Sequence, residues 1–211
     1  MTFPRDGSDD YDAADGSDLS GLHYNCVDVS GHAAIEAHQA DFDTLDVLVL
    51  SQGVVRYRQE EFEKPGWDYV MDVNIDSVMS CANKFKPLLA EKNGAIIIVS
   101  SISGMQANIG NPAYAASKAA AISLTKTLGQ AWARDGIRVN GLAPGLVPTK
   151  LTAVTTENEK RMQGALRAIP LRRAGTPEDM AGVAEVVAGM VAGKAAGATA
   201  GGGVGGAAAG G

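Results

Sequence analysis

Tyr114 and Lys118 stand at i and i+4 in YAASK, near the start of a run (112–134) whose pattern predicts a helix. That spacing puts a phenol and an ammonium on one helical face, one turn apart. A neighbouring cation favours phenolate, so the pair is expected to lower the tyrosine's pKa and let it exchange a proton near neutral pH. A Tyr-x-x-x-Lys pair arises by chance in roughly one chain of this size in three, so the reading depends on its company. Ser101 ends AIIIVSS, the most apolar strand candidate, at the edge where open α/β sheets place their ligands. A hydroxyl there can hold a substrate carbonyl against the tyrosine, although Ser100 and Ser101 equally suit a plain strand end. A hydrolase using Ser101 is disfavoured. There is no GxSxG elbow, and His23, His32 and His38 all fall early in the chain.

The elements that must position these residues alternate. Short aliphatic runs at 23–29, 46–50, 95–101 and 137–143 read as strands covered on both faces, and helical patterns occupy 33–42, 67–90, 112–134 and 177–187. Repeated βα with right-handed crossovers gives an α/β class with an open parallel sheet. Asn111 before Pro112, and Thr176 with Pro177 and Asp179, read as helix starts. Within 112–134, Ala121, Leu124, Leu128 and Ala131 or Trp132 form an apolar stripe. Ala115, Ala119, Ile122 and Gly129 form a face small enough for another helix to approach closely.

With 211 residues, 45% of them apolar and 20% charged, the chain can bury one ordinary core, which excludes fibrous and wholly disordered classes. The net charge of −6 argues against non-specific binding to nucleic acid or a membrane surface. Six Asp and one Arg lie in residues 1–21, an expected disordered acidic leader, so the body is nearly neutral. Ala and Gly dominate 188–211, a tail with little side chain to pack. The informative domain is therefore 22–187. Cys26 and Cys81 lack metal-ligand spacing, so no metal is expected. With neither a signal peptide nor a membrane span in the pattern, a cytoplasmic location is the expectation.

SSISG followed by YAASK resembles the short-chain dehydrogenase/reductase family, in which a strand-ending Ser, a Gly three residues on and Tyr-x-x-x-Lys recur in this spacing. VNIDSV is similar to the segment whose Asn, here Asn74, completes an Asn, Ser, Tyr, Lys tetrad. RVNGLAPGLVPT and IPLRRAGTPEDMA resemble the stretches that follow, and the likeness covers about 24–187. It implies a Rossmann-like open parallel sheet with helices on both faces, and an NAD- or NADP-dependent oxidoreductase interconverting a secondary alcohol and a ketone. Carried over by residue, Tyr114 would be the general acid or base and Ser101 would polarise the carbonyl. Lys118 would lower the tyrosine's pKa and bind the nicotinamide ribose, and Asn74 would anchor a water that relays protons. Pro144, Gly145, Val147 and Thr149 would flank the nicotinamide, Asp28 and Val29 the adenine, and Gly53 would stand in the cofactor site. The resemblance also implies a homo-oligomer, with helices 67–90 and 112–134 paired across a two-fold axis. The loop 146–173 is expected to cover a small alcohol or carbonyl substrate.

Two departures qualify the likeness. The family's opening strand, TGxxxGxG turn, helix and second strand have no counterpart in these residues, and LSQG at 50–53 stands where NNAG is usual. The expectation is an N-terminally truncated member lacking the first βαβ unit. In compensation, 23–29 is expected to move inward and pair with 46–50. The alternative is a catalytically impaired remnant or partner subunit that cannot bind cofactor because the glycine-rich turn is missing.

Overall fold

The computed structural model describes residues 25–189; the leader, His23, Tyr24 and the tail beyond Gly189 lie outside them. Three parallel strands, β1 (Val47–Leu50), β2 (Ala95–Val99) and β3 (Arg138–Leu142), lie in the order β1-β2-β3. Leu50 is in register with Ile98, and Val99 with Leu142, so all three strands end at one edge. β2 is central, and Ala95, Ile96, Ile97 and Ile98 are buried on both of its faces. Each Ile there contributes roughly 1.5–3 kcal/mol by leaving water.

Between β1 and β2 the chain forms α2 (Lys64–Met71), a π-helical turn (Asp72–Asp76) and α3 (Ser77–Ala90). This is one long rod where 67–90 was expected, with an extra residue wound into its middle. α4 (Pro112–Ala131) connects β2 to β3. Its stripe of Ala121, Leu128 and Trp132 is buried, with Leu124 packed against the same core. A short turn at Ala133–Asp135 and Gly136, at φ +73°, end that helix. Beyond β3, the loop 146–173 holds two helices that periodicity did not reveal, α5 (Ala153–Thr156) and α6 (Glu159–Ala168). The last helix, α7 (Pro177–Gly189), starts with reciprocal bonds. The Asp179 N–H donates to Thr176 Oγ1 (3.2 Å), and the Thr176 N–H donates to Asp179 Oδ2 (3.0 Å).

The inward-moving strand is not found. Residues 25–28 join no ladder, β1 pairs only with β2 among the described residues, and Val49 is 49% exposed. The local chemistry explains this. Asp28 Oδ1 accepts from the Ser30 N–H (2.9 Å) and hydroxyl (2.7 Å), turning the chain where the strand would continue. The helix that follows, α1 (His32–Ala37), is shorter than the 33–42 expected and is fastened to α3. Lys84 Nζ donates to Glu36 O (2.9 Å), and His32 Nδ1 lies 3.0 Å from Ser80 Oγ. Val29 is drawn into the core with Ile35 and Cys81.

Gly104 explains the glycine of SSISG. A Cβ there would lie 2.6 Å from the Lys118 carbonyl carbon and 2.7 Å from the Ala119 nitrogen, so only a bare Cα lets this loop lie against the α4 backbone. Gly104→Val is expected to cost about 2–4 kcal/mol in urea unfolding, whereas Gly31→Ala, with open space around the new methyl, should change stability by under about 0.5 kcal/mol. Equal, small effects would contradict the packing described.

Candidate active site

The carboxyl ends of the three strands bring the chemistry-bearing residues together. Leaving β2, Ser100 donates through Oγ to the Lys118 carbonyl (2.7 Å), pinning α4 to the strand end. Ser101 Oγ accepts from the Ser103 N–H (3.1 Å), and the Ser101 hydroxyl favours the charged form of the Tyr114 phenol. Lys118 is only 4% exposed; its Nζ donates to Val99 O (2.9 Å) and lies 5.7 Å from the centre of the Tyr114 ring. Burial lowers the Lys118 pKa from 10.5 to about 8.

The phenol does not behave as the Tyr–Lys spacing alone suggests. Burial raises the Tyr114 pKa above 10.0, the hydrogen bond with Ser101 pulls it down, and the charge of Glu61 adds to the rise. The lysine's expected lowering is therefore not the balance found. The ammonium sits over the ring, and the same loss of water that lowers its own pKa holds the phenol's proton in place.

Asn74 projects from the π-helical turn and is fully buried. Its Oδ1 accepts from the Val54 N–H (2.7 Å), while Nδ2 donates to Val54 O (3.0 Å) and Ser117 Oγ (3.1 Å). The amide thus pairs with the loop after β1 as a neighbouring strand would and braces it against α4. In that loop Gln52 Nε2 donates to Ser77 Oγ (3.0 Å), which in turn donates to Val73 O (2.6 Å). This side-chain brace stands beside the LSQG departure. A Cβ on Gly53 would lie 3.3 Å from Lys118 Nζ and 3.7 Å from Asn74 Oδ1, so the bare Cα lets both polar groups approach this loop closely.

A family model described as Enoyl-(Acyl carrier protein) reductase matches residues 25–201. The chain is 36% identical over 165 residues to the 2-dehydro-3-deoxy-D-gluconate 5-dehydrogenase of Dickeya dadantii, covering 76% of this chain and 65% of the relative. It is 35% identical over 187 residues to the 3-oxoacyl-[acyl-carrier-protein] reductase FabG of Chlamydia muridarum, covering 83% and 73%. The chain belongs to the short-chain dehydrogenase/reductase family. Its fold is similar to the RhlG/NADP active-site complex of Pseudomonas aeruginosa, with a TM-score of 0.72 at 30% identity over 78% of this chain and 68% of that one. A gluconate 5-dehydrogenase of Burkholderia cenocepacia in complex with NADP and tartrate gives 0.70 at 31%, over 75% and 65%. The chain thus spans about two thirds of the first of these curated relatives.

Of the positions the family pattern singles out, Gly53, Asn74, Ser101, Tyr114 and Lys118 converge. The loop after β3 joins them, because the Ile102 N–H donates to Pro144 O (3.1 Å) and a Cβ on Gly145 would meet Ile102 Cδ1 at 3.8 Å. Val147 is buried, and Thr149 caps the next turn through reciprocal contacts with Thr152. Asp28 and Val29 stand apart from this group, the first in its turn with Ser30 and the second in the core. Sequence reading passed over Glu61. It is fully buried, yet nothing in the acidic run around it marks it from Glu60 or Glu63. It also passed over Tyr57, whose hydroxyl donates to Leu151 O (2.7 Å) and ties the loop after β1 to the segment after β3.

Asn74→Leu would leave both Val54 backbone groups without their partner. It is expected to cost about 3 kcal/mol in urea unfolding and to accelerate hydrogen exchange at the Val54 amide. A loss under about 0.5 kcal/mol would contradict the brace.

Proposed function

We propose that this chain carries the proton-transfer and nicotinamide-side part of an NAD- or NADP-dependent oxidoreductase that interconverts a secondary alcohol and a ketone. The observation that carries this is the convergence of Ser101, the Tyr114 phenol and the buried Lys118 ammonium at one sheet edge, beside the bare Cα of Gly53. The cofactor fits this side of the site. A buried ammonium and a buried amide stand close against the bare Cα of Gly53, and the ammonium has donors beyond the one given to Val99 O. When bound, the cofactor supplies the hydride.

The protein's part follows from its own atoms. Ser101 donates its hydroxyl hydrogen to the substrate oxygen and holds it beside the phenol. Tyr114 gives that oxygen a proton in the direction of reduction and takes it back in oxidation. A phenol held above its ordinary pKa keeps its proton at neutral pH, which suits the donor role. Lys118 holds ribose hydroxyls through its remaining N–H donors. Asn74 steadies the loop carrying Gly53, and its Oδ1, which accepts from the Val54 N–H, is the atom that would anchor a relaying water. Pro144, Gly145, Val147 and Thr149 form the wall beside the nicotinamide, with Asp28 and Val29 assigned to the adenine side. The segment carrying α5 and α6, tied down by Tyr57, covers a small alcohol or carbonyl substrate. Sugar acids and 3-oxoacyl thioesters, named in the relatives, are the substrates to try first. The small-residue face of α4 supports a homo-oligomer, and two free cysteines suit a cytoplasmic protein.

The test is nicotinamide turnover by the purified chain with D-gluconate, 2-dehydro-3-deoxy-D-gluconate and a 3-oxoacyl thioester. Activity is expected, with Tyr114→Phe lowering kcat by about 100-fold or more and Ser101→Ala by about tenfold or more. No turnover, together with no NADPH binding by calorimetry, would favour the non-catalytic partner subunit instead.

A further inference from the structure

Glu61 is a carboxylate with no exposure to solvent, beneath the first turn of α4. Its Oε2 accepts from the Tyr114 N–H (2.9 Å), and its Oε1 accepts from the Arg56 N–H (2.9 Å) and Asn111 Nδ2 (3.2 Å). Asn111 Nδ2 also donates to Arg56 O (2.8 Å), closing the cluster. Asn111 therefore makes no side-chain cap of its own, contrary to what Asn-Pro at the helix start suggests, and the capping falls to Glu61. Every partner of the carboxylate is a donor, so the place calls for a group that only accepts. The backbone leading to it is held in an unusual shape, with Arg58 at φ 58° and Gln59 at φ 65°, two successive left-handed residues that are not glycine.

We infer that Glu61 is a positioning residue for the reaction: by gripping the Tyr114 N–H it fixes the first turn of α4, and with it the phenol, against Ser101. The inference rests on the oxidoreductase reading for its effect on turnover, but the grip on Tyr114 can be read without substrate. The groups facing the phenol are Ser101 from the end of β2, Lys118 from α4, and Tyr57 and Glu61 from the segment after β1; Arg161 of α6 acts on Tyr57. Among them, Glu61 supplies the negative charge that strengthens the phenol's hold on its proton.

The experiment compares wild type, Glu61→Gln and Glu61→Asp. It uses steady-state kinetics and the ultraviolet titration of the Tyr114 phenol, isolated by subtracting the spectrum of Tyr114→Phe. Glutamine would turn an amide toward one of the donors and remove the charge. It is expected to lower kcat by roughly 10- to 100-fold with KM for NADPH little changed, and to move the titration midpoint down. Aspartate keeps the charge but retracts the oxygen, so kcat should fall at least about tenfold with the midpoint in place. A kcat within about twofold of wild type in both variants, or a midpoint that moves in Glu61→Asp as in Glu61→Gln, overturns the inference. Should Glu61→Gln fail to fold, Glu61→Asp decides alone on the same criteria. If wild type turns nothing over, the oxidoreductase reading fails, and the optical titration still decides whether Glu61 governs the phenol.

Discussion

A lysine ammonium buried at the end of a parallel sheet is the constraint around which the rest is arranged. Removing such a charge from water costs several kcal/mol, and a fall of the Lys118 pKa from 10.5 to about 8 corresponds to roughly 3 kcal/mol. The fold offsets part of this with Val99 O, whose carbonyl stands where β2 ends. It also keeps neighbouring side chains away, since Gly53 presents no Cβ to the ammonium and Gly104 lets the following loop lie on the helix backbone at Lys118. In the proposed function, its remaining donors serve a polar partner from outside the chain.

Holding that lysine means holding α4, and the helix is fastened from several directions. Ser100 bonds its backbone at Lys118, Asn74 reaches it through Ser117, and Glu61 grips its first turn at Tyr114. Three of these four side chains come from outside the helix and from different parts of the chain. Their common effect is to set the phenol, the serine hydroxyl and the ammonium relative to one another before any ligand arrives. Such preorganisation is the protein's principal contribution when a cofactor carries the redox chemistry.

Much of this was legible in the sequence because it depends on local spacing. The i, i+4 relation of Tyr114 and Lys118, the aliphatic run closing on Ser101 and the glycine at 104 each report a backbone requirement within a few residues. The misses share a different cause. Nothing local tells that Glu61 is buried while Glu60 and Glu63 are not, because its partners lie at 111 and 114. Residues 23–29 have the composition of a strand, but over the described 25–29 the Asp28–Ser30 turn and the docking of α1 on α3 outweigh that propensity. The lowered tyrosine pKa failed for a similar reason. Spacing reports proximity, whereas the shift is set by how much water remains around both groups.

The account is tested most directly by following the 13Cε resonance of Lys118 with pH, assigned by its loss in Lys118→Met. The prediction is a midpoint near 8 in the free protein, moving upward when the ribose hydroxyls of NADPH accept hydrogen bonds from the ammonium. A midpoint near 10.5, unaltered by NADPH, would show an ordinary solvated lysine and contradict the buried centre on which the proposed chemistry stands.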